Sequence, residues 1–333
     1  MSRAEDKVFG ILGTVAAVPA RAIEPVMSWL QRTLGMKKLP WVFLAPNITI
    51  IAVFSLLPVL INVVYSMTGG ESLYPSQRHF VGLFNYETLL SCDNYLDPST
   101  CTRDLFWRAV FNSLVFVPTQ VAVMIGVALV TAIALNRQIR ARGFFRGIFF
   151  FPVMLSPVVV AMTWVWLLQR DGALNGILGS LGFEQVSWLT DSARAFKWSV
   201  FVTVWAHMGF YMVILLAGLQ SIPADIYEAA KMDRASPWRV FYRITLPLLK
   251  PVLLVVFILA VIRSVQTFDE IYVLTGGGPG SATKLMVHYI FETGFAVMPR
   301  NYGLAAAASL LLGIVLFAFT ALQMKISRGG RHD

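Results

Sequence analysis

Six apolar stretches, at about residues 41–67, 108–135, 147–168, 196–219, 250–274 and 302–324, constrain this chain more than any other feature. A helix of about 20 residues crosses a hydrocarbon layer of about 30 Å, and each stretch is that long. With 57% hydrophobic and 14% charged residues over 333 positions, no single soluble core could enclose them. A transmembrane barrel would show short alternating strands, a pattern absent from the sequence. The expected fold class is therefore all-α: a polytopic membrane protein with six transmembrane helices.

Lys and Arg fix the expected orientation. With both termini in the cytoplasm, the cytoplasmic segments carry six before residue 41, four in 136–146, five in 220–250 and three in the tail, 18 in all. The opposite side carries 7, and Arg108 and Arg263 fall within spans. The net charge of +9 then expresses topology and contact with anionic lipid. Nucleic-acid binding is not expected, because no basic stripe alternates with base-stacking aromatics.

Ahead of the first span, Val8 to Val18 is apolar and is followed by Ala20-Arg21-Ala22, a passable signal-peptidase pattern. The run is too short to span. Trp29, Leu30 and Leu34 with Arg32, Lys37 and Lys38 suit an interfacial amphipathic helix instead. The two cysteines, Cys92 and Cys101, both fall in the outer 68–105 loop. Joined as a disulfide in an oxidising compartment, they would stabilise that loop by about 2–3 kcal/mol; the alternative is two free thiols. Two cysteines nine positions apart do not match the spacing of a metal set.

Between the fourth and fifth apolar stretches lies a polar, helix-forming segment, Glu228-Ala229-Ala230-Lys231-Met232-Asp233-Arg234-Ala235, continuing to Ile244-Thr245-Leu246-Pro247. It is too polar to be a membrane element and reads as a docking element. It resembles the EAA loop by which membrane subunits of ATP-binding-cassette (ABC) importers engage their ATPases. The Glu-Ala-Ala, the Asp five residues after the Glu and the closing Ile-x-Leu-Pro are all kept. One departure is Arg234, where that family has a turn glycine; if the turn needs positive φ, this costs about 1 kcal/mol.

The fifth stretch ends in Gln266-Thr267-Phe268-Asp269-Glu270 and, further on, Gly276-Gly277-Gly278-Pro279, the punctuation expected of a helix end. With the EAA loop, this resembles carbohydrate-importer permeases of the maltose and glycerol-phosphate type, specifically the larger of two paired subunits, from about residue 40 to 325. Phe80-Val81-Gly82-Leu83-Phe84-Asn85-Tyr86 and Asp171-Gly172-Ala173-Leu174-Asn175-Gly176 resemble further segments of those permeases. The glycines before Lys284 are not a P-loop, because the Gly-Lys-Ser/Thr order is missing and no strand precedes them. Without a nucleotide motif, the chain is expected to be a path and not an enzyme.

Polar residues within spans are costly and tend to face a bundle interior or a wet cavity. Arg263, Thr267 and Glu270 follow at i, i+4 and i+7, one face of a continuous helix. That face is either a charge network or a substrate-cavity lining, with Ser264, Gln266 and Asp269 beside it. The resemblance places substrate contacts at Thr203, Ala206, His207 and Phe210 in one span and at Ala260, Ser264 and Thr267 in another; few of the residues are identical to the family's. Trp164, Trp166, Trp205 and Phe210 suit sugar stacking or a membrane interface equally. At about 10 Å along the axis, Glu270 is too far from Arg263 for tight pairing by backbone position alone. Arg263 therefore suits either an anionic sugar derivative or a neutral sugar held by hydrogen bonds.

The resemblance implies three regions: a cytoplasmic or interfacial segment 1–40, a transmembrane domain 41–325 with the EAA loop at 228–247, and a cytoplasmic tail 326–333. It implies a multi-pass protein of the bacterial inner membrane. The expected partners are a second permease subunit, two copies of an ABC ATPase, a periplasmic solute-binding protein, a carbohydrate and the bilayer. ATP and Mg²⁺ belong to the ATPase; no cofactor or metal is expected on this chain. Glu228, Ala229, Ala230, Asp233, Arg234, Ala235, Phe241, Leu246 and Pro247 are the expected ATPase-coupling positions, with the 237–244 helix in the ATPase cleft and Pro247 and Pro251 passing movement to the fifth span. The competing reading is a proton-coupled secondary transporter using His207, Asp269 and Glu270.

Overall fold

The structure, a computed structural model, describes residues 31–33, 35–137 and 139–329. The expectations for Val8–Val18, Ala20-Arg21-Ala22, Trp29, Leu30, Leu34 and the last four residues lie outside that range. The described residues form helices and short helical turns with no named strand, the all-α membrane architecture expected. The spanning helices are α1 (Gly35–Ser66), α3 (Asp104–Asn136), α7 (Ser192–Gln220), α9 (Pro237–Val265) and α12 (Tyr302–Lys325). Each is long and apolar enough to cross a membrane; counting one bent pair as a single span makes six. Between them lie α2 (Phe84–Leu90), α4 (Arg142–Phe150), α5 (Pro157–Leu168), α6 (Ala173–Ser180), α8 (Ala224–Met232), α10 (Asp269–Thr275) and α11 (Met286–Phe291).

The chain divides into two units between Val64 and Tyr65. In the first, α1 exposes apolar side chains along its length, among them Trp41, Phe54 and Leu60. Its π-helical segment Ala52–Leu56 lies over Phe54, the residue whose carbonyl Pro58 has no N–H to meet. The same device recurs in α9, where the π segment Phe241–Thr245 spans Arg243, four residues before Pro247. Pro118, by contrast, sits inside α3 without breaking it.

In the second unit, α3, α7 and α9 share one core, built from Phe116, Met124, Ala128 and Ala132 against Met212, Leu215, Leu249, Val256 and Ala260. Small residues let these helices approach closely. A Cβ at Gly218 would come within 2.9 Å of Leu249, and one at Gly209 would overlap the Phe149 carbonyl.

Two expected spans need correction. The third, expected as one helix over 147–168, is broken: Arg142–Met154 and Pro157–Ser180 meet at 99°. Pro152 and Pro157 supply the cause, because each lacks a donor and the residue before a proline disfavours helix. The fifth, expected over 250–274, instead starts at Pro237 and stops at Val265; after the non-helical Gln266–Phe268, α10 resumes. Ser236 starts α9 by accepting a hydrogen bond from the Arg239 amide (3.4 Å), with Pro237 at the first helical position. The segment expected to be a separate docking helix is thus the foot of the fifth span.

On the 68–105 loop, the structure joins Cys92 and Cys101 as a disulfide. Arg78 ties the loop base together, donating to Thr68 and to the Ser72 carbonyl while lying over the Tyr65 and Tyr302 rings.

Candidate functional site

Two groups of residues carry chemistry: a polar corner between α7 and α9, and a charged cluster where α9 ends. At the corner, α8 closes in a Schellman turn. The Arg234 amide donates to the Lys231 carbonyl and the Ala235 amide to the Ala230 carbonyl, both at 3.0 Å. Such a turn requires a left-handed residue, and Arg234 occupies it at φ 50°, so the glycine position does need positive φ. Glu228, Ala229, Asp233 and Arg234 are exposed, Ala230 is buried and Ala235 is half-buried. On the foot of α9, Phe241 and Leu246 are half-buried and Pro247 is exposed. Trp238 stacks on Tyr242, both exposed. Tyr227 reaches Thr245 at 3.2 Å and so fixes α8 against α9.

The second group gathers His207 from α7, Arg263 from α9 and Glu270 from α10. Arg263 Nη2 donates to Glu270 Oε1 at 3.0 Å and lies 2.8 Å from His207 Nε2, to which Arg263 Nε also donates at 3.2 Å. A ring nitrogen facing two guanidinium N–H groups must be an acceptor. The imidazole proton therefore sits on Nδ1, which donates to the Thr203 carbonyl at 2.9 Å. His207 is neutral in this arrangement. Taking up a second proton would set an N–H against the guanidinium, with Glu270 Oε1 3.4 Å away on the same ring nitrogen; Asp269, the other acid of the proton-coupled reading, is exposed on the first turn of α10.

The expectation that Glu270 is too far for pairing, and that Arg263, Thr267 and Glu270 share one helical face, is corrected by the break. Gln266 (φ −84°, ψ 1°) and Phe268 (φ −139°, ψ −62°) leave helical geometry, so Glu270 is not carried seven residues up one axis. It returns to within hydrogen-bond reach of Arg263. The Glu270 side chain is 1% exposed and that of Arg263 34%. Glu270 Oε2 is buried without a partner, an acceptor inside a membrane protein that a donor from outside this chain could satisfy.

The other sequence-chosen positions divide. Phe210 and Gln266 are exposed beside the cluster. Thr203, Ala206, Ala260, Ser264 and Thr267 are buried. Both threonine hydroxyls bond back to their own chain, Thr203 to the Ser199 carbonyl and Thr267 to the Arg263 carbonyl, and Ser264 donates to Gln120 Oε1 on α3. In this conformation these five pack helices and do not face open space. Gln120, 1% exposed, was not singled out in the sequence, although a lone amide in an apolar run is the available signal. Trp164 is spent on other aromatics, meeting Trp198, Phe201 and Trp205, whereas Trp166 is exposed. The 276–284 glycine turn closes on itself: Thr283 Oγ1 donates to the Gly278 carbonyl and its amide to the Gly277 carbonyl. Asn112 of α3 takes the Ser281 and Lys284 carbonyls.

A family model described as "Binding-protein-dependent transport system inner membrane component" matches residues 122–329. The chain is 36% identical to the trehalose/maltose transport system permease protein of Thermococcus litoralis, over 87% of this chain and 94% of that one. It is 34% identical to the lactose transport system permease protein of Rhizobium radiobacter, over 86% and 93%. A bacterial ABC transporter involved in import of the acidic polysaccharide alginate superposes with TM-score 0.75 at 22% identity, covering 91% of this chain and 98% of that one; this likeness concerns the fold alone.

Proposed function

This chain belongs to the family of binding-protein-dependent transport system inner membrane components, and from that premise we propose that it is one of two different permease subunits of an ATP-driven carbohydrate importer. A solute-binding protein delivers the sugar on the extracytoplasmic face. Two copies of an ABC ATPase, which hold ATP and Mg²⁺, close on the cytoplasmic face, where both termini of this chain lie. This chain itself holds no cofactor. The polar corner at 228–247 receives the ATPase movement: Glu228 and Asp233 make polar contacts with it, and Trp238, Phe241 and Tyr242 fill its cleft.

The observation that carries this reading is the fusion of corner and charged cluster on one helix, since α9 begins at the corner and ends at Arg263. The sugar site lies at the exposed edge of the cluster, formed by His207, Phe210, Arg263 and Gln266. A neutral saccharide fits it better than an anionic one. Arg263 already has a carboxylate partner, so no substrate charge is needed. The sugars in the names of the two relatives, trehalose, maltose and lactose, are also neutral.

Reconstitution of the complete complex in proteoliposomes with its binding protein tests the proposal. Uptake is expected to require internal ATP, to persist when a protonophore collapses the gradient, and to select neutral over anionic saccharides. Uptake that survives loss of the ATPase and stops with the gradient would overturn it.

A further inference from the structure

A cavity of about 450 Å³, with no residue of the charged cluster in its wall, lies between the 92–101 loop, the N-terminal parts of α3 and α7 and the 276–284 glycine turn. Its walls are fixed by bonds within the chain. Pro98 lies in a loop closed by the Cys92–Cys101 disulfide and capped by Asp97, whose carboxylate accepts from the Ser99 amide at 3.0 Å. Asn112 of α3 pins the glycine turn, donating from Nδ2 to the Ser281 and Lys284 carbonyls. Gly277 and Gly280, at φ 82° and 61°, let that turn close on itself.

What the wall offers a ligand carries no free charge. Arg108 lines the cavity but already has the Asp104 carboxylate at 3.6 Å, one turn before it. Asn112 keeps Oδ1 as an acceptor, Ser192 and Ser281 bring hydroxyls, and Phe111 and Pro98 bring apolar faces. An anion would find its cation shared, and a wholly apolar ligand would leave the amide oxygen, hydroxyls and guanidinium without partners. A molecule with hydroxyls around its edge and C–H faces above and below satisfies both sets, which is the chemistry of a neutral saccharide. The volume falls in the lower part of the range for small-molecule sites, about 300–1,000 Å³. We propose that this cavity is a second saccharide site, an entry subsite that holds the sugar before it reaches the Arg263 cluster. The proposal rests on the carbohydrate-importer reading above, under which this end of the bundle faces the extracytoplasmic space. His207 then lies fifteen residues further along α7 than Ser192, about 22 Å at 1.5 Å per residue, so one helix carries a residue of each site.

The complete complex in proteoliposomes with its binding protein provides the test, with radiolabelled maltose, trehalose and lactose offered singly and ATP hydrolysis measured beside uptake. The importer reading requires wild-type uptake of at least one of them; uptake of none would remove that reading and the subsite with it. Where the wild type takes up sugar, Ser192→Ala/Ser281→Ala should lower the sugar delivered per ATP by about threefold to tenfold, the worth of one neutral hydrogen bond. Ala282→Trp, which fills the cavity from the wall beside Ser281, should lower it at least as much. In the serine variant, docking of the binding protein, read by co-sedimentation, and its stimulation of hydrolysis should both persist. A benzoylphenylalanine at Phe111 should photolabel the sugar. Sugar per ATP unchanged in both variants, loss of docking in step with loss of delivery in the serine variant, or adducts at Phe111 with the binding protein and none with sugar overturns the proposal while leaving the importer reading in place.

Discussion

Arg263 and Glu270 are ion-paired at 3.0 Å across seven residues because the helix that carries Arg263 stops at Val265 and Glu270 lies in the first turn of the next one. Removing one member of a buried pair strands the other's charge. Glu270→Gln should therefore destabilise the complex by about 3 kcal/mol, the low end of the range for a buried pair, since a third of the Arg263 side chain is exposed. The double variant Arg263→Met/Glu270→Leu should recover most of it. Thermal unfolding of the purified complex reads both. Additive losses would mean the pair is not coupled. Arg263→Gln strands the more deeply buried Glu270 carboxylate and should cost at least as much stability; in complex that still assembles and hydrolyses ATP without ligand it should abolish uptake, and unchanged uptake would confine Arg263 to structure.

Replacing Arg234 by glycine should raise stability by about 1 kcal/mol, because its φ of 50° is one that glycine adopts without a Cβ penalty. Arg234→Val should lower it. The melting temperatures of the two variants should move in opposite directions; a shared direction would place the cost elsewhere.

Coupling is expected to fail at the corner while insertion survives. Glu228→Lys or Ala229→Asp changes an exposed position, so the fold is spared, but ATPase association weakens or hydrolysis proceeds without uptake. Co-purification with the ATPase and paired uptake and hydrolysis assays read the result, and wild-type coupling in both variants would remove the corner from the mechanism.

Cys92 and Cys101 should appear as one disulfide in mature protein, visible as no alkylation without reductant and two alkylations with it. Cys92→Ser/Cys101→Ser should cost about 2–3 kcal/mol, as expected for closing a loop with sequence separation 9. Two alkylatable thiols in the unreduced protein would refute either the bond or the expected topology.

Acid should loosen the end of the bundle that holds α11. His288 on α11 is fully buried among Phe268, Tyr272 and Lys284, and burial first, then the Lys284 charge, lowers its pKa from 6.5 to about 4. The unfolded chain binds the proton more readily, so the stability is complete above pH 6.5 and is lost as pH falls from there towards about 4. The loss reaches about 3 kcal/mol at most. Unfolding followed across that window should be steeper for the wild type than for His288→Phe; equal slopes would show that His288 does not contribute.

Span positions were legible because the signal is cumulative: 20 apolar residues outweigh any local ambiguity, and α3, α7 and α12 lie within a few residues of the expected bounds. The corner was legible too, as its polarity contrasts with both neighbours. The third and fifth spans were harder. Pro152 and Pro157 are visible in the sequence, but the 99° angle between the two arms is not. The stop at Gln266 has neither glycine nor proline to announce it, so helical periodicity was carried straight through to Glu270. The same limit explains the site: spacing put Ser264 and Thr267 on offer to a ligand, whereas Gln120, 144 residues earlier than Ser264, claims that hydroxyl.

The single helix from Pro237 to Val265 makes α9 a shaft of 29 residues, about 43 Å at 1.5 Å per residue. Its length is therefore also a phase. One residue inserted between Trp238 and Arg263 would turn the head against the foot by about 100°, whereas four would bring it nearly back into register, one turn farther away. Exchanging one aliphatic side chain for another along this shaft leaves that phase unchanged, whereas changing the number of residues in it does not.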